Sequence, residues 1–124
     1  MNDNINNVFK FKMPNNEQEE NIEIGVSKKF EIVLNGNITT GYNWFLENGT
    51  TNNLYIKALN LSDDNTGEYL KGNHPPGWCG GSGSLHFIFE ATAEGIQVLN
   101  FVYKRSWSND VAAKISVKVK VTAS

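Results

Sequence analysis

The sequence predicts a single all-β domain of 124 residues, an antiparallel β-sandwich of seven to eight strands. Three observations carry that prediction. Apolar residues recur at every second position, most clearly Ala113, Ile115, Val117, Val119 and Val121 against Lys114, Ser116, Lys118 and Lys120. Clusters of Asn, Gly, Thr and Ser interrupt these runs at roughly ten-residue spacing, as turns between short strands do. No helical periodicity persists beyond a turn or two. Together these features describe an immunoglobulin-like sandwich. Cys79 is the one cysteine, so the sandwich has no intrachain disulfide.

Taken in order, Val8 to Lys12 alternates and predicts an edge strand. Met13 to Glu20 holds Pro14 and several polar residues, and predicts a turn; residues 1–18 read as a loosely attached N-terminal edge segment of the one domain, 1–124. Asn21 to Val26 predicts a second strand, with Ile22 and Ile24 on one face. Lys29 to Leu34 predicts a third, and Tyr42, Trp44, Phe45 and Leu46 an aromatic-rich fourth. Asn48 to Asn53 is a turn cluster; Leu54 to Leu61 is strand-like, with an apolar phase that slips near Ala58. Residues 69–79, with Pro75-Pro76-Gly77, predict a long irregular connection. Leu85, Phe87, Phe89 and Ala91 share one face of the next strand, and Leu99, Phe101 and Tyr103 one face of its successor. Ala93-Glu94-Gly95 turns between them, and the alternating run to Val121 closes the chain.

A net charge of -2 with interspersed signs provides no basic footprint for nucleic acid and no polybasic segment for a membrane surface. No apolar run approaches the roughly 20 residues that span a bilayer. The first residues show neither a basic nor an apolar leader region, and a disulfide-free β domain suits a reducing compartment, so the expectation is a cytoplasmic monomer. Asn37, Asn48 and Asn60 head N-x-Ser/Thr sequons; a glycan on Asn37 would burden the central loop, a candidate contact surface.

Candidate catalysts are few. Cys79, His74 and His86 are the only thiol and imidazoles. Their spacing matches no familiar zinc pattern, and His86 takes the outward phase between Leu85 and Phe87. Gly80-Gly81-Ser82-Gly83 precedes a strand, whereas a phosphate loop precedes a helix. Arg105-Ser106-Trp107 places an Arg beside a Trp in a loop, the composition of an interface hot spot. No cofactor is expected.

Three loops then make a set. Asn37-Ile38-Thr39-Thr40-Gly41-Tyr42, Gly80-Gly81-Ser82-Gly83 and Arg105-Ser106-Trp107 occupy the B–C, D–E and F–G connections, which gather at one end of an immunoglobulin-like sandwich. In that order they resemble the loop motifs of the chagasin family of cysteine-peptidase inhibitors: Asn-Pro-Thr-Thr-Gly-Tyr/Phe, Gly-x-Gly-Gly and Arg-Pro-Trp. Trp44, His86-Phe87 and Tyr103 also look like the family, and the resemblance runs from about residue 19 to the end. Ile38 and Ser106 stand where the family pattern has proline, and Ser82 where it has glycine.

The resemblance implies a reversible, noncovalent and tight-binding inhibitor of papain-like (cathepsin L-like) cysteine peptidases, not an enzyme. Its three loops would wedge into the active-site cleft. Thr39 and Thr40 would fill the slot over the catalytic pair, the glycine loop would offer backbone amides and carbonyls, and Trp107 would lie on an apolar wall with Arg105 at the rim. Two other readings use the same residues. One is a non-inhibitory adhesion or carbohydrate-binding module that stacks ligands on Trp78 and Trp107. The other is a Cys/His enzyme or metal protein built on Cys79.

Overall fold

The last run folds as its alternation dictates: β9 (Val111–Thr122) buries Ala113, Ile115, Val117, Val119 and Val121 and turns its lysines outward. A computed structural model describes residues 7–12, 16–37, 41–47, 55–61, 65–71, 82–105 and 107–123. The strands before β9 are β1 (Asn7–Phe11), β2 (Glu17–Gly25), β3 (Lys29–Asn37), β4 (Tyr42–Glu47), β5 (Ile56–Ala58), β6 (Glu68–Lys71), β7 (Ser82–Ala91) and β8 (Gly95–Arg105). They form two sheets, β1-β3-β7-β5 with β6 also on β7, and β2-β9-β8-β4. The core lies between them. Phe30, Ile32, Leu34, Leu85, Phe87 and Phe89 of one sheet meet Trp44, Phe101, Ile115, Val117 and Val119 of the other.

The all-β sandwich agrees with the sequence, and the one strand beyond those expected, β6, is short, as is β5. β6 runs through the start of a stretch read as irregular, and β5 keeps only three residues of the run Leu54 to Leu61. Both pair with β7 on the edge that β3 leaves free, β5 opposite Phe89 to Ala91 and β6 opposite Gly83 to His86. Asn60 fills the gap between them. Its side-chain amide donates to the His86 carbonyl at 2.9 Å and accepts the Ile88 N–H at 2.9 Å, doing for β7 what a neighbouring peptide would do.

Two strands, Asn7–Phe11 and Glu17–Gly25, account for most of the described N-terminal residues. β1 joins β3 in parallel over five residue pairs, and Phe9 meets Phe30 edge to face at 6.4 Å. β2 starts at Glu17, inside the segment read as a turn, and joins β9 in parallel. The reason is charge alternation. Glu17 and Glu23 stand opposite Lys114 and Lys120 on the outer face, so acidic residues disfavoured in strands gain opposite-charge neighbours across the ladder. Both N-terminal strands therefore make parallel pairings, whereas the other pairings are antiparallel.

Candidate functional site: three loop roots at one end of the sandwich

Strand register alone brings the loops together. β3 pairs with β7 through Gly36↔Gly83 and Asn37↔Ser82, so the central loop leaves its sheet beside the point where the glycine loop returns. β4 pairs with β8 through Tyr42↔Arg105, so the central loop comes back beside the root of the Arg-Ser-Trp loop. The central connection crosses from one sheet to the other and thereby joins the two pairs. Ile38, Thr39 and Thr40, Gly80 and Gly81, and Ser106 lie outside the described residues.

What the described residues contribute is a set of anchors. Gly41 adopts φ +89°, a left-handed conformation that a side chain disfavours. The Trp107 ring edge lies against it: a Cβ on Gly41 would sit 2.9 Å from Trp107 Cη2. Trp107 is 72% exposed, so most of its ring remains open to solvent. The loop that carries it is closed by the Ser108 N–H donating to the Arg105 carbonyl at 3.2 Å. Lys104 Nζ donates to the Ser108 carbonyl at 3.3 Å and lies 5.0 Å from the Phe45 ring centre. A register shift between Tyr103 and Lys104 bends the ladder where this loop departs.

Beneath the loops runs a column of rings. Trp44 is fully buried and its indole N–H donates to the Asn35 carbonyl at 2.8 Å. Tyr103 lies 5.1 Å from Trp44 and stacks on Tyr42 at 5.3 Å and 19°. The Arg105 guanidinium caps the column, 4.8 Å from the centre of the Tyr42 ring. Sequence reasoning named Tyr42 and Arg105 as contact residues but left Tyr103 among the family-like neighbours. Its alternation phase marked it as core, and no local signal tells which ring a core aromatic will meet.

The enzyme reading gains nothing from the described geometry. His86 faces outward from β7, where Ser84 Oγ meets its Nε2 at 2.8 Å and Glu31 of β3 takes its Nδ1. This row joins two strands on a flat sheet face and braces the root of the glycine loop. Cys79 and His74 lie outside the described residues, as does Trp78, and no group of three or more metal-ligating side chains occurs among the described ones.

Residues 23–121 match the model of the chagasin family of peptidase inhibitors, described as Chagasin family peptidase inhibitor I42. This protein belongs to the chagasin family. A chagasin-family assignment also agrees with its relatives. Amoebiasin-1 of Entamoeba histolytica is 34% identical over 102 residues, covering 80% of this chain and 89% of that protein. The crystal structure of the cysteine protease inhibitor EhICP2 from Entamoeba histolytica has the same fold, with a TM-score of 0.64 at 15% identity over 93% of this chain and 96% of that one. PbICP-C, solved in complex with falcipain-2, superposes with a TM-score of 0.53 at 19% identity over 94% of this chain and 99% of that one.

Proposed function

We propose that this chagasin-family protein is a reversible, noncovalent and tight-binding inhibitor of papain-like cysteine peptidases, acting as a cytoplasmic monomer. The observation that carries the reading is the convergence of three loop roots through the pairs Gly36↔Gly83 and Tyr42↔Arg105. Family membership supports inhibition of a peptidase. The class of peptidase follows from EhICP2, described as a cysteine protease inhibitor, and from PbICP-C, bound to falcipain-2.

In this reading the residues divide the work. Thr39 and Thr40 enter the slot over the catalytic Cys–His pair, where small β-branched hydroxyl residues lose little rotamer freedom on binding and still donate and accept hydrogen bonds. Gly80, Gly81, Ser82 and Gly83 present backbone to the substrate-binding strand of the enzyme. Trp107 covers an apolar wall of the cleft, and Arg105 hydrogen-bonds at its rim. A loop held in a turn does not offer the extended peptide that cleavage requires, so the inhibitor is released intact. Low net charge and a wedge that is neutral apart from Arg105 make the contact chiefly one of shape, with little electrostatic steering.

The test is a titration of papain activity with the purified protein at fixed substrate. Stoichiometric loss of activity that returns on dilution is the expected result. Full activity of both papain and a cathepsin L-like enzyme at micromolar protein overturns the proposal.

A further inference from the structure

The column of rings beneath the loops has a reach that no single loop has. Trp44 belongs to β4 but is hydrogen-bonded to Asn35 of β3. Tyr103 belongs to β8 and stacks on Tyr42, the residue that ends the central loop. Gly36, buried in β3, leaves room for both: a Cβ there would stand 3.3 Å from Trp44 Cδ1 and 3.5 Å from Tyr103 Cε1. Gly36 is also the partner of Gly83, the last residue of the glycine motif, which with Ser82 lies in the first positions of β7 and not in the loop. One packed column therefore touches the roots of the central and Arg-Ser-Trp loops directly and reaches the root of the glycine loop through Gly36. Neither Asn37 to Tyr42 nor Arg105 to Trp107 contains proline, so no fixed φ stiffens these segments. Packing at their roots is then one source of order for these segments, beside the Ser108–Arg105 hydrogen bond and the Trp107 contact on Gly41.

We infer that Tyr103, with Trp44 below it and Tyr42 and Arg105 above, is a positioning residue that holds the roots of the three loops as one preformed body. This inference rests on the inhibitory reading above. Tyr103 itself is 9% exposed and lies on the core face of β8, below the surface that meets a peptidase. It acts through Tyr42, whose ring it supports, and through Arg105, whose guanidinium needs that ring as its platform. Trp107 then closes over Gly41 from the other side. Loops ordered before encounter lose little entropy on binding. Loops ordered only part of the time bind in proportion to the competent fraction.

The experiment compares Tyr103→Leu, Tyr103→Phe and Val119→Ala, the last removing methyl groups from a fully buried position at the opposite end of β9. Association and dissociation rates with papain are measured at a temperature where every variant is folded. Backbone 15N relaxation of the free proteins reports on Gly41, Tyr42, Arg105 and Trp107. The expected result is that Tyr103→Leu slows association by roughly tenfold with dissociation nearly unchanged, since it lowers the competent fraction. Order parameters at the loop roots fall with it, while Tyr103→Phe, which keeps the stack, loses far less than Tyr103→Leu. Equal rates and order parameters in Tyr103→Leu and wild type overturn the inference. So does an equal loss in Val119→Ala, which would make the effect one of general stability. If Tyr103→Leu does not fold, the wild-type relaxation decides alone. Root amides as rigid as the strands, with order parameters near 0.85, support the column; values below about 0.6 sink it. Failure of wild type to inhibit any papain-like enzyme counts against the proposed function, and the relaxation data still judge the column separately.

Discussion

Trp107 and Gly41 show how two adjacent loops depend on single atoms. The indole of Trp107 is largely solvent-exposed, which suits a side chain that spends its apolar area on a partner. Trp107→Ala should raise the inhibition constant roughly 30-fold or more, as truncation of an interface hot spot does. Its melting temperature should stay within about 2 °C of wild type, because surface changes cost less than about 0.5 kcal/mol. A parallel loss of stability and inhibition would instead make Trp107 a structural residue. Gly41→Ala acts by a different route. A Cβ at φ +89° costs about 1 kcal/mol in backbone strain, and it must also displace the Trp107 ring edge. Inhibition should weaken about tenfold or more while the circular dichroism spectrum of the β-sandwich is kept; unchanged inhibition would mean that the Trp107 contact on Gly41 has no bearing on binding. The glycine was legible in the sequence as a turn residue. That its bare face is a seat for a Trp 66 positions later in the chain was not, because a close approach between distant residues leaves no local pattern.

At the scale of elements, the strands that sequence reading found are those whose pattern comes from their own burial. β7, β8 and β9 each turn one face to the core, and alternation followed. β2 begins earlier than its apolar residues suggest, since its first turn of ladder is held by pairing with β9 and by lysines opposite its glutamates. β6 is too short to show a period and β5 shows only a slipping one; both pair with the edge of β7 that β3 leaves free. Asn60 is the joint between them. Asn60→Ala should cost about 2 kcal/mol, the net worth of two hydrogen bonds to backbone groups, read as a shift in the urea midpoint; a cost below about 0.5 kcal/mol would mean that water replaces the amide. The same residue heads the sequon Asn60-Leu61-Ser62. A glycan on Nδ2 would leave it a single N–H and set a sugar ring beside the part-buried His86 carbonyl. When the chain is routed through a glycosylating secretory system, Ser62→Ala should therefore raise the yield of folded protein above wild type. Equal yields would show that the modification leaves this joint undisturbed.

For the molecule as a whole, the proposed noncovalent inhibition makes the lone thiol dispensable. Cys79→Ser should inhibit papain within about twofold of wild type, and a selective loss of inhibition in a folded variant would call the wedge mechanism into question. Family membership and the fold were both legible in the residues: alternation named the sandwich, and three loop motifs in order named the family. Alternation is a consequence of one-sided burial, and a loop motif is a contiguous string, so both are written locally along the chain. The meeting of the loops was an expectation borrowed from the architecture, and register supplied its physical form in Asn37 beside Ser82 and Tyr42 beside Arg105. The column through Trp44, Tyr103, Tyr42 and Arg105 was not legible at all. Which rings stack, which side-chain amide completes a sheet edge and which glycine receives an indole are decided when two sheets close on each other, because those contacts join residues whose separation in the chain carries no periodic trace.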